Sequence, residues 1–218
     1  MKDSYSLSYG KYSKYPARRY SYNLRLNFVK KALTECNCNI ILDLGSATGD
    51  YDIDLKDEGF CAILVDVNSK CLRIAKNKDK NIIIVNANAC SLPFNASSFC
   101  AVIIINALRY FDNPLACLRE CNRVLKNKGC LIIIDHNKYC PDTLLIRHDV
   151  VRYFSLKELK ELLHRSGFKL IENYMLFIPP PFAQGYILNL ILKISSKLNK
   201  LQFLKKIYPE IYIQAIKK

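Results

Sequence analysis

The stretch Ile41-Leu-Asp-Leu-Gly-Ser-Ala-Thr-Gly-Asp50 decides the fold. Its first four residues end a short apolar run of the kind a buried strand needs, and Gly45 and Gly49 then mark a tight loop before a helical pattern. Glycines at such a junction allow sharp turning and let a ligand approach backbone N–H groups at a helix N-terminus. The loop lacks the G-x-G-x-x-G of a dinucleotide fold and the Gly-Lys-Ser/Thr of a phosphate-binding P-loop. Two glycines alone are also compatible with an ordinary strand-turn-helix junction.

Outward from this loop, two kinds of segment alternate. Apolar, β-branched runs recur at 39–44, 61–67, 81–85, 99–106 and 129–135. Helical patterns lie between them, such as 113–126, where Leu115, Leu118, Val124 and Leu125 fall near one face and charges on the other. Runs apolar on both faces are what parallel strands between helix layers require. Gly59, Gly129 and Gly167 each stand where a helix would end and a strand begin, the place for a left-handed residue. After a polar stretch, 136–153, Ser155 and Glu158 form a capping-box pattern for a helix reaching Ser166. A strand-like run follows over 168–178, then the breaker Pro179-Pro180-Pro181, an amphipathic segment over 186–206 and a last strand from Glu210.

The pattern predicts a doubly wound, mostly parallel α/β sheet of seven strands with a helical insertion before the last one. No repeat or low-complexity linker interrupts it. One domain is expected over 1–218: a basic, aromatic N-terminal arm and helix (1–38), a core (39–178), the amphipathic insertion or lid (179–208) and the last strand (209–218). The length of 218 residues, with 50% hydrophobic and 24% charged, suits one such domain and a full core.

Lys and Arg total 33 against 19 Asp and Glu, a formal charge of +14 that invites nucleic acid, an anionic membrane or an acidic substrate. The excess is not uniform. Residues 1–31 hold eight basic residues and one acidic, and 193–218 hold seven and one, so the segment between them is close to neutral. The charge therefore reads as a clue to how an acceptor or its membrane is approached. No apolar run nears the roughly 20 residues of a spanning helix, and the start is polar, so the cytoplasm is expected, with room for peripheral membrane contact. Of the ten cysteines, Cys61, Cys100 and Cys130 open apolar runs, and Cys117 and Cys121 sit on a helical pattern. Without a CxxC pair they read as reduced, buried small hydrophobes, and no metal site is expected; Cys36-x-Cys38 is a weak metal or redox signal.

Further segments keep the order and spacing of one family. They are Leu64-Val-Asp66-Val-Asn-Ser at the end of the second strand, Asn88-Ala-Cys-Ser-Leu-Pro-Phe94 after the third, the fourth strand from Phe99, and Arg123-Val-Leu-Lys-Asn-Lys-Gly129 before the fifth. With 41–50, they make the chain resemble the class I S-adenosylmethionine-dependent methyltransferases over 39–167, in their small-molecule or lipid branch, of the methyltransferase domain 11 type. The resemblance implies a Rossmann-like methyltransferase fold and S-adenosylmethionine as cofactor. It implies donor binding by Asp43, Gly45, Ser46, Thr48, Gly49, Asp66, Val67, Asn88, Ala89 and Asn106, with the Asp66 carboxylate accepting the ribose hydroxyls. Two positions depart from the family pattern: Asn88 stands where Asp is usual on the adenine side, and Cys100 where an acidic residue follows the Phe of strand four. An amide oxygen can still accept from an adenine amino group.

Methyl transfer is an in-line displacement, so positioning supplies much of the rate, and a base is needed only for a protonated acceptor such as a hydroxyl. His136, His148 and Tyr110 are the candidates beyond the strand ends, each with a structural or packing role as the alternative; His164 reads as solvated or packed. The insertion 186–206 is a lid over a lipophilic acceptor, a helix in an anionic membrane interface, or plain packing. Tyr9, Tyr12, Tyr15, Tyr20, Arg18 and Arg19 in the arm could stack on bases and bind phosphates, or cover the donor. The expected function is methyl transfer to a small-molecule or lipid-linked acceptor at oxygen. An RNA methyltransferase and a catalytically inactive binding subunit are the alternatives, and DNA is not expected as a partner.

Overall fold

Ile41, Leu42 and Leu44 are covered on both faces, which a strand achieves only between two helix layers. The computed structural model describes residues 15–140, 152–176, 178–180, 183–198 and 208–218, with the backbone alone over 195–198. Its elements are α1 (Pro16–Glu35), β1 (Ile40–Leu44), α2 (Asp50–Asp57), β2 (Cys61–Asp66), α3 (Ser69–Lys78), β3 (Ile83–Asn86) and β4 (Phe99–Ile105). A 3-10 turn (Leu108–Tyr110), α4 (Pro114–Val124), β5 (Leu125–His136), α5 (Leu156–Arg165), β6 (Phe168–Leu176), α6 (Gly185–Leu198) and β7 (Glu210–Lys217) complete it.

The seven strands lie in the order β3-β2-β1-β4-β5-β7-β6. Every pair is parallel except those of β7, which runs antiparallel between β5 and β6. On one face α4 and α5 pack on Leu42, Leu44, Val102, Ile104, Leu131 and Ile133. On the other, α1, α2 and α3 pack on Ile41, Leu64, Ile103, Ile132 and Ile134. The chain turns outward in both directions from β1 and β4, and the crevice beyond their C-terminal ends is where open α/β sheets bind ligands. Helix starts follow local chemistry: Asn68 caps α3, Asn113 caps α4 with a proline behind it, and Ser155 and Glu158 make the expected capping box.

Two expectations need correction. Gly129 does not end a helix, because α4 stops at Val124, Leu125 already pairs with Phe99, and the left-handed residue is Lys128 (φ 61°). Gly59 and Gly167 do take the left-handed role, at φ 89° and 85°. Cys38 and Cys100 are not reduced packing residues; they form a disulfide, because β1 and β4 are neighbours and bring together residues 62 apart in sequence. The amphipathic insertion packs on α1 by one side. α6 rests on Ala17 of α1 through Leu188, Ile191 and Leu192, and this leaves Ile187, Leu190 and Ile194 of the amphipathic segment exposed, with Tyr186 beside them. The rest of the segment, 195–206, lies outside the described side chains. Among the described residues no helix is long and apolar enough to cross a membrane.

Candidate active site

The loop after β1 is held open by its own backbone. Gly45 (φ 73°) donates its N–H to Val65 O at 2.8 Å, and Gly49 (φ 68°) begins α2 from the left-handed region. A Cβ on Gly45 would lie 2.5 Å from the Ala107 Cβ, and one on Gly49 2.7 Å from Leu64 Cδ2, so both positions exclude any other residue. Between them, Thr48 Oγ1 donates to Asp50 Oδ2 at 2.8 Å. Lys78 of α3 pins the same turn, reaching Thr48 O at 3.1 Å and Asp50 Oδ1 at 2.7 Å. Ser46 Oγ is buried with no hydrogen-bond partner among the described residues, an unmet polar atom inside a loop built for close approach.

Asp66, at the end of β2, accepts from Ala47 N–H at 3.0 Å and from Asn68 N–H at 2.8 Å. A carboxylate offers about four acceptor positions, so two remain for hydroxyl donors. Val67 beside it is exposed, an apolar surface suited to a flat ring. The Asn88 side-chain oxygen already accepts the Cys90 N–H at 2.8 Å in a local turn, which leaves one lone pair and the amide NH2 for a base; Ala89 is buried behind it. Asn106 (φ 55°) donates its N–H to Ile134 O at 2.7 Å, and its side-chain oxygen accepts from Arg109 at 3.2 Å. Asp43 is buried under the loop against Asp52 of α2; burial first, then the neighbouring Asp52 and Asp66, holds its carboxyl well above the usual range.

Beyond β5 lies a second group of charges. Asp135 pairs with Arg109 at 2.5 Å and also accepts the His136 N–H at 2.7 Å. Arg25 of α1 grips Glu210 at the start of β7, Nε to Oε1 at 3.0 Å and to Oε2 at 3.1 Å, and Tyr212 OH donates to the same carboxylate at 2.8 Å. His136 pairs in register with Glu210. Burial, then the cations Arg109 and Arg25, pushes its imidazole down to about 4 against the pull of Glu210, so at neutral pH it is an uncharged ring with an accepting nitrogen. Tyr110 is exposed, with the Arg109 guanidinium 4.8 Å from its ring centre. His148, Tyr9 and Tyr12 lie outside the described residues. His164 sits on the exposed side of α5, away from this group.

The sequence reading missed Asp52, Arg25, Arg109, Asp135 and Glu210. Acidic residues at the ends of the apolar runs, Asp135 closing one and Glu210 opening another, were the available signal. Their basic partners come from elements that no local pattern connects.

Similarity to known proteins agrees with this geometry. A profile described as "Methyltransferase domain" matches residues 42–133. An uncharacterized protein of Methanocaldococcus jannaschii is 31% identical over 173 residues, 74% of this chain and 72% of that one. The demethylmenaquinone methyltransferase of Thermotoga maritima is 36% identical over 109 residues, 49% of this chain and 48% of that one. The match to the named methyltransferases thus spans about half their length. An S-adenosylmethionine dependent methyltransferase from Mesorhizobium loti superposes with a TM-score of 0.63 at 16% identity, covering 81% of this chain and 90% of that one. The [4+2]-cyclase SpnF superposes with a TM-score of 0.69 at 17% identity, over 90% of this chain and 82% of that one. A cyclase on the same fold means that the reaction must be argued from the site.

Proposed function

The chain belongs to the class I S-adenosylmethionine-dependent methyltransferases, and from that membership we propose that it transfers a methyl group to oxygen on a small-molecule or lipid-linked acceptor. The cofactor, when bound, supplies an electrophilic methyl group on a sulfonium. The Gly45–Gly49 backbone, Asp43, Asp66 and Asn88 are the groups suited to hold it, and the unmet Ser46 hydroxyl fits a loop completed by a polar ligand.

The observation that carries the oxygen reading is His136. An uncharged imidazole at the C-terminal end of β5 can accept the proton of an acceptor hydroxyl while the oxygen is methylated. Burial and the cations Arg109 and Arg25 outweigh Glu210 and keep the ring weakly basic, so it passes the proton on to solvent, and the Arg109–Asp135 pair fixes the backbone beside it. Incubation with methyl-labelled S-adenosylmethionine and fractionated extract tests this. Label is expected in O-methylated lipid or small molecules, and His136→Gln is expected to lower turnover about 100-fold or more with donor affinity retained. Label in RNA would move the function to the nucleic-acid alternative, and donor binding without transfer to any fraction would favour an inactive binding subunit.

A lipid-linked acceptor is favoured by α6. Its exposed Tyr186, Ile187, Leu190 and Ile194 form an apolar face, with Lys193 exposed beside it. Such a face suits an interface of anionic headgroups and acyl chains, where a peripheral enzyme meets its acceptor.

A further inference from the structure

We propose that Asp52 is a positioning residue for the methyl donor: it shares one proton with Asp43 beneath the donor loop, and the cationic end of the donor displaces that proton on binding. The proposal rests on the donor reading of this site. Asp43 shares the face of β1 with Ile41, which packs in one cluster with Leu55 of α2, and Asp52 is the third residue of α2. Both are buried, at 3% and 1% exposure. Both carboxyl oxygens of Asp52 are buried without a hydrogen-bond partner among the described residues, and the carboxyl of Asp43 on β1 is the group that faces them. Ionised carboxylates only accept, so this contact exists only when one of the two carries a proton.

The surroundings favour the protonated pair. Asp66 faces Asp43 from β2, and Asp50 faces Asp52 from its own helix; both add negative charge. Asp50 is itself matched by Lys78 of α3, whereas neither Asp43 nor Asp52 belongs to an ion pair among the described residues. Burial of both groups, with these neighbours, raises the affinity of the pair for its proton, as for any two buried carboxyls that cannot both ionise. S-adenosylmethionine carries a sulfonium and an α-ammonium. A cation placed against Asp43 supplies the compensation the proton supplied, so one charge replaces another and the proton leaves to solvent.

The sign of the pH effect follows. Where the free protein holds the shared proton, binding must expel it, and donor affinity falls by about tenfold per pH unit as the pH drops. Where the pair is already ionised, affinity is flat. Asp52→Asn replaces the shared proton with a permanent N–H donor to Asp43, so affinity should no longer depend on pH over this range.

Titration calorimetry of the full chain with S-adenosylmethionine, in phosphate and in Tris at neutral pH, counts the protons released from the difference in observed heat. The expected result is release of up to one proton per donor by the wild type and none by Asp52→Asn, whose affinity is level with pH. Asp52→Thr, which offers Asp43 a hydroxyl, should behave alike if the amide does not fit. A wild type that saturates without releasing a proton, or an Asp52→Asn that releases as many, overturns the inference while leaving the donor site standing. Absence of donor binding at every pH overturns the donor site itself, and the inference with it.

Discussion

At the scale of single residues, the donor loop works by exclusion of side chains. Gly45 combines a left-handed backbone with contact against Ala107, so Gly45→Ala meets two penalties: an unfavourable φ, worth about 1 to 3 kcal/mol, and a clash that must displace the turn after β4. Thermal unfolding should show that loss, and donor affinity should fall with it, since the same turn carries Asn106. Adding Ala107→Gly should return the steric part and leave the backbone part; a double variant no better than the single one would show that contact with Ala107 is not what selects glycine. These glycines were legible in the sequence because a turn constrains residue type locally. Asp52 was not, because nothing at position 52 distinguishes an exposed helix carboxylate from one buried against a carboxyl on β1.

At the scale of elements, α1 is tied to the sheet by charge as well as by packing. Arg25 is one-eighth exposed and Glu210 fully buried, so the pair is desolvated. Removing one partner leaves the other buried without compensation, and Arg25→Met should cost about 3 to 5 kcal/mol in urea unfolding, whereas the double change Arg25→Met, Glu210→Met should cost much less. Equal losses in the two variants would mean that the charges do not act as a pair. The strands themselves were readable from their apolar runs, within a few residues at each end. The exception is β5, which opens at Leu125 and continues through the exposed Lys126-Asn-Lys128, a polar stretch that made Gly129 look like a helix terminus. The Arg25–Glu210 tie could not be read, because it joins positions 185 apart and neither one carries a local mark of its partner.

At the scale of the whole molecule, α6 is laid against the start of α1. Leu188 of α6 packs with Ala17, whose chain neighbours are Arg18 and Arg19, and the exposed apolar residues of α6 have Lys193 on the same helix. Anionic vesicles should therefore retain the protein and neutral vesicles should not, with retention falling as salt rises. Ile187→Glu with Leu190→Glu should release it without altering thermal stability, since both side chains face solvent; retention unchanged by that pair would remove α6 from the contact. The position of β7 has another consequence, in the order of synthesis. β6 pairs only with β7 among the described strands, and β7 is separated from it by residues 177–209. When β6 leaves the ribosome, its partner has not yet emerged, and the flank of β5 is still uncovered. No sheet containing β6 can close before residues 210–217 exist, so during translation this chain carries an open, strongly apolar strand edge that a chaperone or a neighbouring nascent chain can reach.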